Sequence, residues 1–321
     1  MKKLLRKLHT HLNQNGMVGF INYFEQPNHQ LLTRILLIID KEFIGALQFA
    51  KDWVHFESQI EKKSVPVVAK SIFDYLGLEI PQDELPDEFS QPGQPAILLG
   101  LNHEAVVEPI ILISLLNRDD IKFPGMKVFQ YLGPNISEYI LPLLPKKVAI
   151  DYSGNTKPSI SNKLDPFYQL YCLEDKSIEE IGRLNQSSIH QAAGHLAEGG
   201  ALIIFPNGGR SINCPWYQGI GQIISRLPPE VITSVPIFPI SLSGLTRKMI
   251  YRKIHKAAFN QQKVTPICLK IYEPIYMPRW AVSASPKRLL DYLRKEAEMR
   301  LHTVSNPVPN PCGNSSLISS D

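Results

Sequence analysis

A chain of 321 residues, 44% of them hydrophobic and 20% charged, can bury a large core, is long enough for more than one domain and is not a disordered polymer. Its formal charge of +4 is too small to argue for nucleic acid, although a local basic patch can still meet an acidic partner. No apolar run approaches the roughly 18 residues of a membrane span, and Cys172, Cys214, Cys268 and Cys312 form no CxxC pair, which indicates neither a zinc site nor a disulfide framework and suits thiols in a reducing compartment.

Residues 1–80 carry helical periodicity and little strand signal. Leu4, Leu5, Leu8 and Leu12 share one face, with Lys2, Lys3, Arg6 and Lys7 opposite. Such a stretch lacks the apolar centre of a secretion signal but can rest on an anionic bilayer or on a small core. Further helices are expected around Asn28–Asp40, Lys41–Glu61 and Val65–Leu78, together a small helical bundle domain. Residues 81–95, rich in Pro, Asp, Glu, Gln and Gly, read as a linker.

From Ala96 onward the pattern changes. Strands are expected at Ala96–Leu101, Lys127–Tyr131, Val148–Ile150, Ala201–Phe205, Ile237–Ser241 and Ile267–Tyr272, with helices from about Val106, over Ile178–Leu196 and over Pro286–His302. Alternating strands and helices predict an α/β domain over 96–303, built on a mixed, mainly parallel sheet flanked by helices on both faces. The Pro-, Asn-, Gly- and Ser-containing stretch over 304–321 reads as a disordered tail.

Two stretches of this domain carry chemistry. Asn102-His103 falls where the first strand ends, and Glu108 follows across the strand-to-helix turn, with Pro109 suited to a first helical turn. A carboxylate there can hold one imidazole nitrogen and leave the other free to take a proton from a hydroxyl, as acyl transfer requires; the same pair can equally be a satisfied structural contact. Later, a helix closes on Gly199-Gly200 and the strand ending at Phe205 runs into Pro206-Asn207-Gly208-Gly209-Arg210. Backbone N–H groups beside a guanidinium at the carboxyl edge of a sheet suit a phosphate or a developing oxyanion, and they also suit a plain surface turn.

Together Asn102-His103-x4-Glu108-Pro109 and Phe205-Pro206-Asn207-Gly208-Gly209-Arg210 resemble the paired motifs of the glycerolipid acyltransferase superfamily, Asn-His-x4-Asp and Phe-Pro-x-Gly-x-Arg. The Gly-Gly-Arg form, the helix bearing Asn185-Gln186-Ser187-Ser188, Trp216-Tyr217 and Val235-Pro236-Ile237-Phe238-Pro239 are most similar to the soluble, plastid-type glycerol-3-phosphate acyltransferases, which also have a helical N-terminal domain. The resemblance implies His103 as general base, Glu108 as its polarising partner and Arg210, with Gly208 and Gly209, on the acceptor phosphate. Lys146 and Lys147 match two positions of a Lys-Lys-His element, with Val148 in the third.

Three departures qualify the match: Glu108 replaces Asp, Ile212 stands where that branch has a second Arg, and Glu104 adds a negative charge beside the base. The implied reaction moves an acyl group from acyl carrier protein or CoA to glycerol 3-phosphate, without metal, cofactor or covalent intermediate; no Gly-x-Ser-x-Gly elbow occurs. The missing Arg also allows a lysophospholipid or other lipid alcohol as acceptor, and the Glu a catalytically weak acyl- or lipid-binding relative. A basic cluster, Arg247, Lys248, Arg252, Lys253 and Lys256, is expected either to dock an acidic carrier protein or to be a solvated helix face. The corresponding location is cytoplasmic or in the plastid stroma, soluble, with peripheral membrane contact allowed.

Overall fold

The structure is a computed structural model that describes residues 10, 14–19, 21–24, 26, 41–79, 86, 89, 91–103, 105, 107–144, 177–208, 215–257 and 264–303. In chain order the helices are α1 (Lys41–Gln59), α2 (Val65–Leu76), α3 (Glu108–Leu115), α4 (Pro134–Ser137), α5 (Ile178–Ala197), α6 (Gly219–Ile224), α7 (Pro229–Ser234), α8 (Arg247–Ala257) and α9 (Pro286–Thr303). The strands of the main sheet are β1 (Ala96–Gly100), β2 (Ile121–Met126), β3 (Ile140–Leu143), β4 (Ala201–Ile204), β5 (Ile237–Ser243) and β6 (Cys268–Ile271). They lie in the order β3-β2-β4-β1-β5-β6, parallel throughout except where β6 runs against β5.

Every residue of β1 and β4 is buried, as central parallel strands covered on both faces require. Alternate side chains feed two cores. Leu98, Ile203 and Phe238 pack with Ile72 and Phe73 of α2, Ile111 and Leu112 of α3 and Ile250 of α8. Ile97, Leu99, Leu202 and Ile237 pack with Ala193 and Leu196 of α5, Ile223 of α6 and Leu293 of α9. The expected mixed, mainly parallel sheet with helices on both faces is therefore the architecture. The N-terminal helices share its first core: Trp53 of α1 belongs to that cluster, and its indole N–H donates to the Leu132 carbonyl at 2.8 Å. No described helix is long and apolar enough to cross a membrane.

Side chains fix the element ends. Asp119 accepts the Val65 N–H at the start of α2 (2.8 Å), and α5 opens with a reciprocal capping box between Ser177 and Glu180. Asn185 of α5 pairs with both backbone groups of Leu144 (2.8 and 2.7 Å), and Ser188 donates to the Pro142 carbonyl. These three bonds tie the outer strand β3 to the helix that covers it.

Several expectations needed revision. Lys127–Leu132 is a 3-10 helix, and the strand lies before it, at Ile121–Met126. Pro124 and Gly125 mask that strand in the sequence. They are tolerated because β2 pairs with β4 only at Ile121 and Lys122 and with β3 from Phe123 onward, so no donor is demanded of Pro124 on the β4 side. A strand at Ile140–Leu143 was not foreseen; that at Val148–Ile150, the helix at 1–12 apart from Thr10, the helix at 28–40 and the tail from 304 fall outside the described residues. Cys268 is disulfide-bonded rather than a free thiol.

Lys253 also departs from expectation. It is 6% exposed and donates to the Gly77 carbonyl at 2.8 Å, closing the end of α2, while Lys248, Arg252 and Lys256 stay exposed. Burial, with the neighbouring charge of Lys256, pulls its ammonium below the usual lysine range. The basic face of α8 is thus smaller than its sequence implies.

At the amino end of the sheet, His195 of α5 lies with Nε2 at 3.1 Å from the Asp120 carbonyl. Burial lowers its pKa from 6.5, with Lys122 adding to the effect and the Asp120 carbonyl opposing it. The unfolded chain then binds this proton first, so the contribution of His195 to stability is complete above pH 6.5 and declines as pH falls below it. Urea midpoints should fall from about pH 7.5 to about pH 5.5, and His195→Gln, which keeps a donor for the carbonyl, should flatten that fall. An unchanged slope in the variant would refute this assignment.

Candidate active site

Parallel strands end together, and open α/β sheets hold their ligand sites at that carboxyl edge. β1 ends at Gly100 and leads through Leu101 and Asn102 to His103. Its neighbour β4 ends at Ile204 and leads to Phe205-Pro206-Asn207-Gly208. Leu99 pairs with Ile204, so the two turns emerge side by side.

Two side-chain amides, a half-buried Asn102 and a buried Asn207, hold them in place. The Asn102 side chain accepts the Leu242 N–H at 2.9 Å and donates to the Leu242 carbonyl, joining the His103 turn to β5. Asn207, fully buried, donates to the Leu101 carbonyl at 3.0 Å and so joins the second turn to the first. Each lost bond of this kind would leave a buried backbone group unpaired, at about 1–3 kcal/mol.

His103 Nδ1 lies 2.8 Å from Glu108 Oε2, and Glu108 Oε1 accepts the Ala105 N–H at 2.6 Å. The extra methylene of Glu relative to Asp is thus absorbed: one oxygen reaches the ring and the other caps the turn entering α3, where a negative charge also suits the helix dipole. The Glu108 side chain is 2% exposed and that of His103 is 16% exposed. Burial pushes the Glu108 carboxyl up, but the hydrogen bond and charge of His103 and the Ala105 N–H outweigh it and hold it below the usual carboxylate range. An ionised carboxylate only accepts, so the Nδ1 that faces it carries a hydrogen, and Nε2 is the atom that holds the lone pair whenever the ring is neutral. No described residue bonds to Nε2.

The Phe205 ring stacks on the His103 imidazole, centroids 4.4 Å apart and planes 25° from parallel. Gly100 makes room for it: a Cβ there would overlap the Phe205 ring. The loop continues through a turn in which the Gly208 N–H donates to the Phe205 carbonyl at 3.0 Å, with Gly208 at φ +61° and the Tyr217 ring where its Cβ would stand. The Tyr217 N–H donates to the Pro206 carbonyl at 2.7 Å, which sets the two feet of the intervening loop next to each other.

Of the predicted site residues, the fold brings His103 and Glu108 into contact and sets Gly208 in the adjoining turn. Lys146, Lys147, Gly209 and Arg210, like Glu104 and Ile212, lie outside the described residues. Sequence reasoning missed the contact of Phe205 with the imidazole and the anchoring amides of Asn102 and Asn207. One signal was present: an isolated Gly inside an apolar strand marks a close approach, and Gly100 is such a residue.

No family model matches the chain, and no curated relative does. Among solved structures it is similar to the 1-acyl-sn-glycerophosphate (LPA) acyltransferase PlsC from Thermotoga maritima, at 16% identity over 95% of this chain and 99% of that one, with a TM-score of 0.37. A likeness this loose carries no weight for the chemistry, which rests on the residues themselves.

Proposed function

We propose that the chain is an acyltransferase that moves a fatty acyl group from a thioester, of acyl carrier protein or CoA, to a hydroxyl of glycerol 3-phosphate. The observation that carries the reading is the oriented imidazole. Ionised Glu108 holds Nδ1, leaving Nε2 as base at the sheet edge, beside the turn that leads into Gly208-Gly209-Arg210. The order and spacing of the two sequence motifs support the same reading.

In this reaction Nε2 of His103 takes the proton of the acceptor hydroxyl as its oxygen bonds to the thioester carbonyl carbon. Backbone donors of the loop, or Arg210, steady the tetrahedral oxyanion. The intermediate collapses with cleavage of the carbon–sulfur bond, and the imidazolium returns the proton to the departing thiolate. Glu108 stays ionised and steadies the imidazolium while it exists. Arg210, with Lys146 and Lys147, binds the acceptor phosphate.

Ile212 in place of a second Arg favours a lysophospholipid acceptor as a second reading, since one phosphate contact fewer matters less to a ligand that also buries an acyl chain. Both readings meet in one experiment. Purified protein is offered acyl-CoA and acyl carrier protein thioesters with glycerol 3-phosphate or lysophosphatidic acid, and products are identified by mass spectrometry. We expect lysophosphatidic acid as product from glycerol 3-phosphate. Product from lysophosphatidic acid alone would select the second reading, and no ester from either acceptor would remove both.

A further inference from the structure

We infer that Phe205 is a positioning residue for the base: its ring sets the plane of the His103 imidazole and thereby the direction in which Nε2 presents its lone pair. The inference rests on the proposed role of His103 and adds a residue through which that role acts.

The hydrogen bond from Nδ1 to Glu108 fixes one atom of the imidazole. It still lets the ring tilt through small coupled changes of χ1 and χ2, and such a tilt re-aims Nε2. A flat neighbour removes that freedom. Phe205 supplies one, with centroids 4.4 Å apart and planes 25° from parallel, within the range of offset aromatic stacking. The face of Phe205 also attracts the imidazolium that forms during the reaction, as an aromatic face attracts a cation.

The surrounding backbone is built to hold this pair. Gly100 lacks the side-chain atom that would displace the Phe205 ring. Asn207, two residues past Phe205, ties its turn to Leu101, and Asn102, directly before His103, ties the other turn to Leu242. Both partners of the stack are thus anchored within two residues, and the contact does not depend on a mobile side chain finding its mate.

A residue that acts through the base should change kcat and leave KM nearly untouched. With Phe205→Leu we expect kcat to fall by roughly ten- to a hundredfold, the scale of a misplacement of about 1 Å, with KM for donor and acceptor within about twofold. Phe205→Tyr, which keeps the flat face, should recover most of the loss. A second readout needs no turnover: the ring protons of His103, shifted upfield in the NMR spectrum by the facing phenyl, should move downfield in Phe205→Leu and stay in Phe205→Tyr. Wild-type kcat in Phe205→Leu, a loss carried by KM alone, or an unmoved His103 resonance would overturn the role. Activity that survives in His103→Ala would instead overturn the proposed reaction, and this role with it.

Discussion

Replacing His103 with Ala is expected to lower acyl transfer by about 10²–10⁴-fold, the usual worth of a positioned general base. The loss should appear in kcat at saturating thioester and acceptor, because the imidazole takes its proton only as the oxygen attacks. Stability should fall as well, by about 1–3 kcal/mol, because the buried Glu108 carboxylate keeps only its bond from the Ala105 N–H. Thermal unfolding run beside the assay separates the two effects. Most of the wild-type rate surviving in a folded His103→Ala protein would end the proposed mechanism. Glu108→Gln should fall between wild type and His103→Ala, since the amide can keep one contact but cannot balance the imidazolium charge.

The second large effect is on stability and lies at the opposite end of the strands. The Arg118 side chain is fully buried. Its guanidinium donates to both oxygens of Asp120 (2.5 and 2.6 Å) and to the carbonyls of Phe89 (3.3 Å), Gln94 (2.9 Å) and Gly199 (2.8 Å). Asp120 also accepts the Gly93 N–H. Burial pushes the Asp120 carboxyl up, and the bond to Arg118 with that to Gly93 more than offsets this, leaving it below the usual carboxylate range. Arg118→Ala leaves the buried carbonyls of Phe89 and Gly199 without donors, which should cost about 1–3 kcal/mol each, whereas the Asp120 carboxylate, 34% exposed, is met by water and adds little. Arg118→Lys should recover little, because an ammonium cannot span a planar fork. Urea unfolding measures both, and a cost below about 1 kcal/mol would show that the network contributes far less than its geometry implies. Activity per folded molecule should match wild type in both variants, since the network sits at the amino edge and the candidate site at the carboxyl edge.

These two residues were unequally visible in the sequence. His103 and Glu108 lie five positions apart, close enough for local rules of strand, turn and helix to set them face to face. Arg118 reads as an ordinary surface cation in Asn117-Arg118-Asp119-Asp120. Its carbonyl partners Phe89 and Gly199 are 29 and 81 residues away, and nothing in its neighbours announces them. Lys253 erred the other way: it stands in a basic run and reads as exposed, yet it is spent inside the molecule on Gly77, 176 residues away.

The sequence by itself determined the α/β class, both central strands, the helix from 178 onward and the His103–Glu108 pair, because each is written in a local period or in a spacing shorter than two helical turns. Only the tertiary structure decided that β6 runs antiparallel, that Phe205 lies on the imidazole, and that Asn102 grips Leu242 across 140 residues. The physical reason is range. A hydrophobic period constrains a residue through its neighbours in the chain, whereas a stacked ring or a bidentate amide is set by which strands lie side by side, and that order is fixed only when the whole sheet assembles.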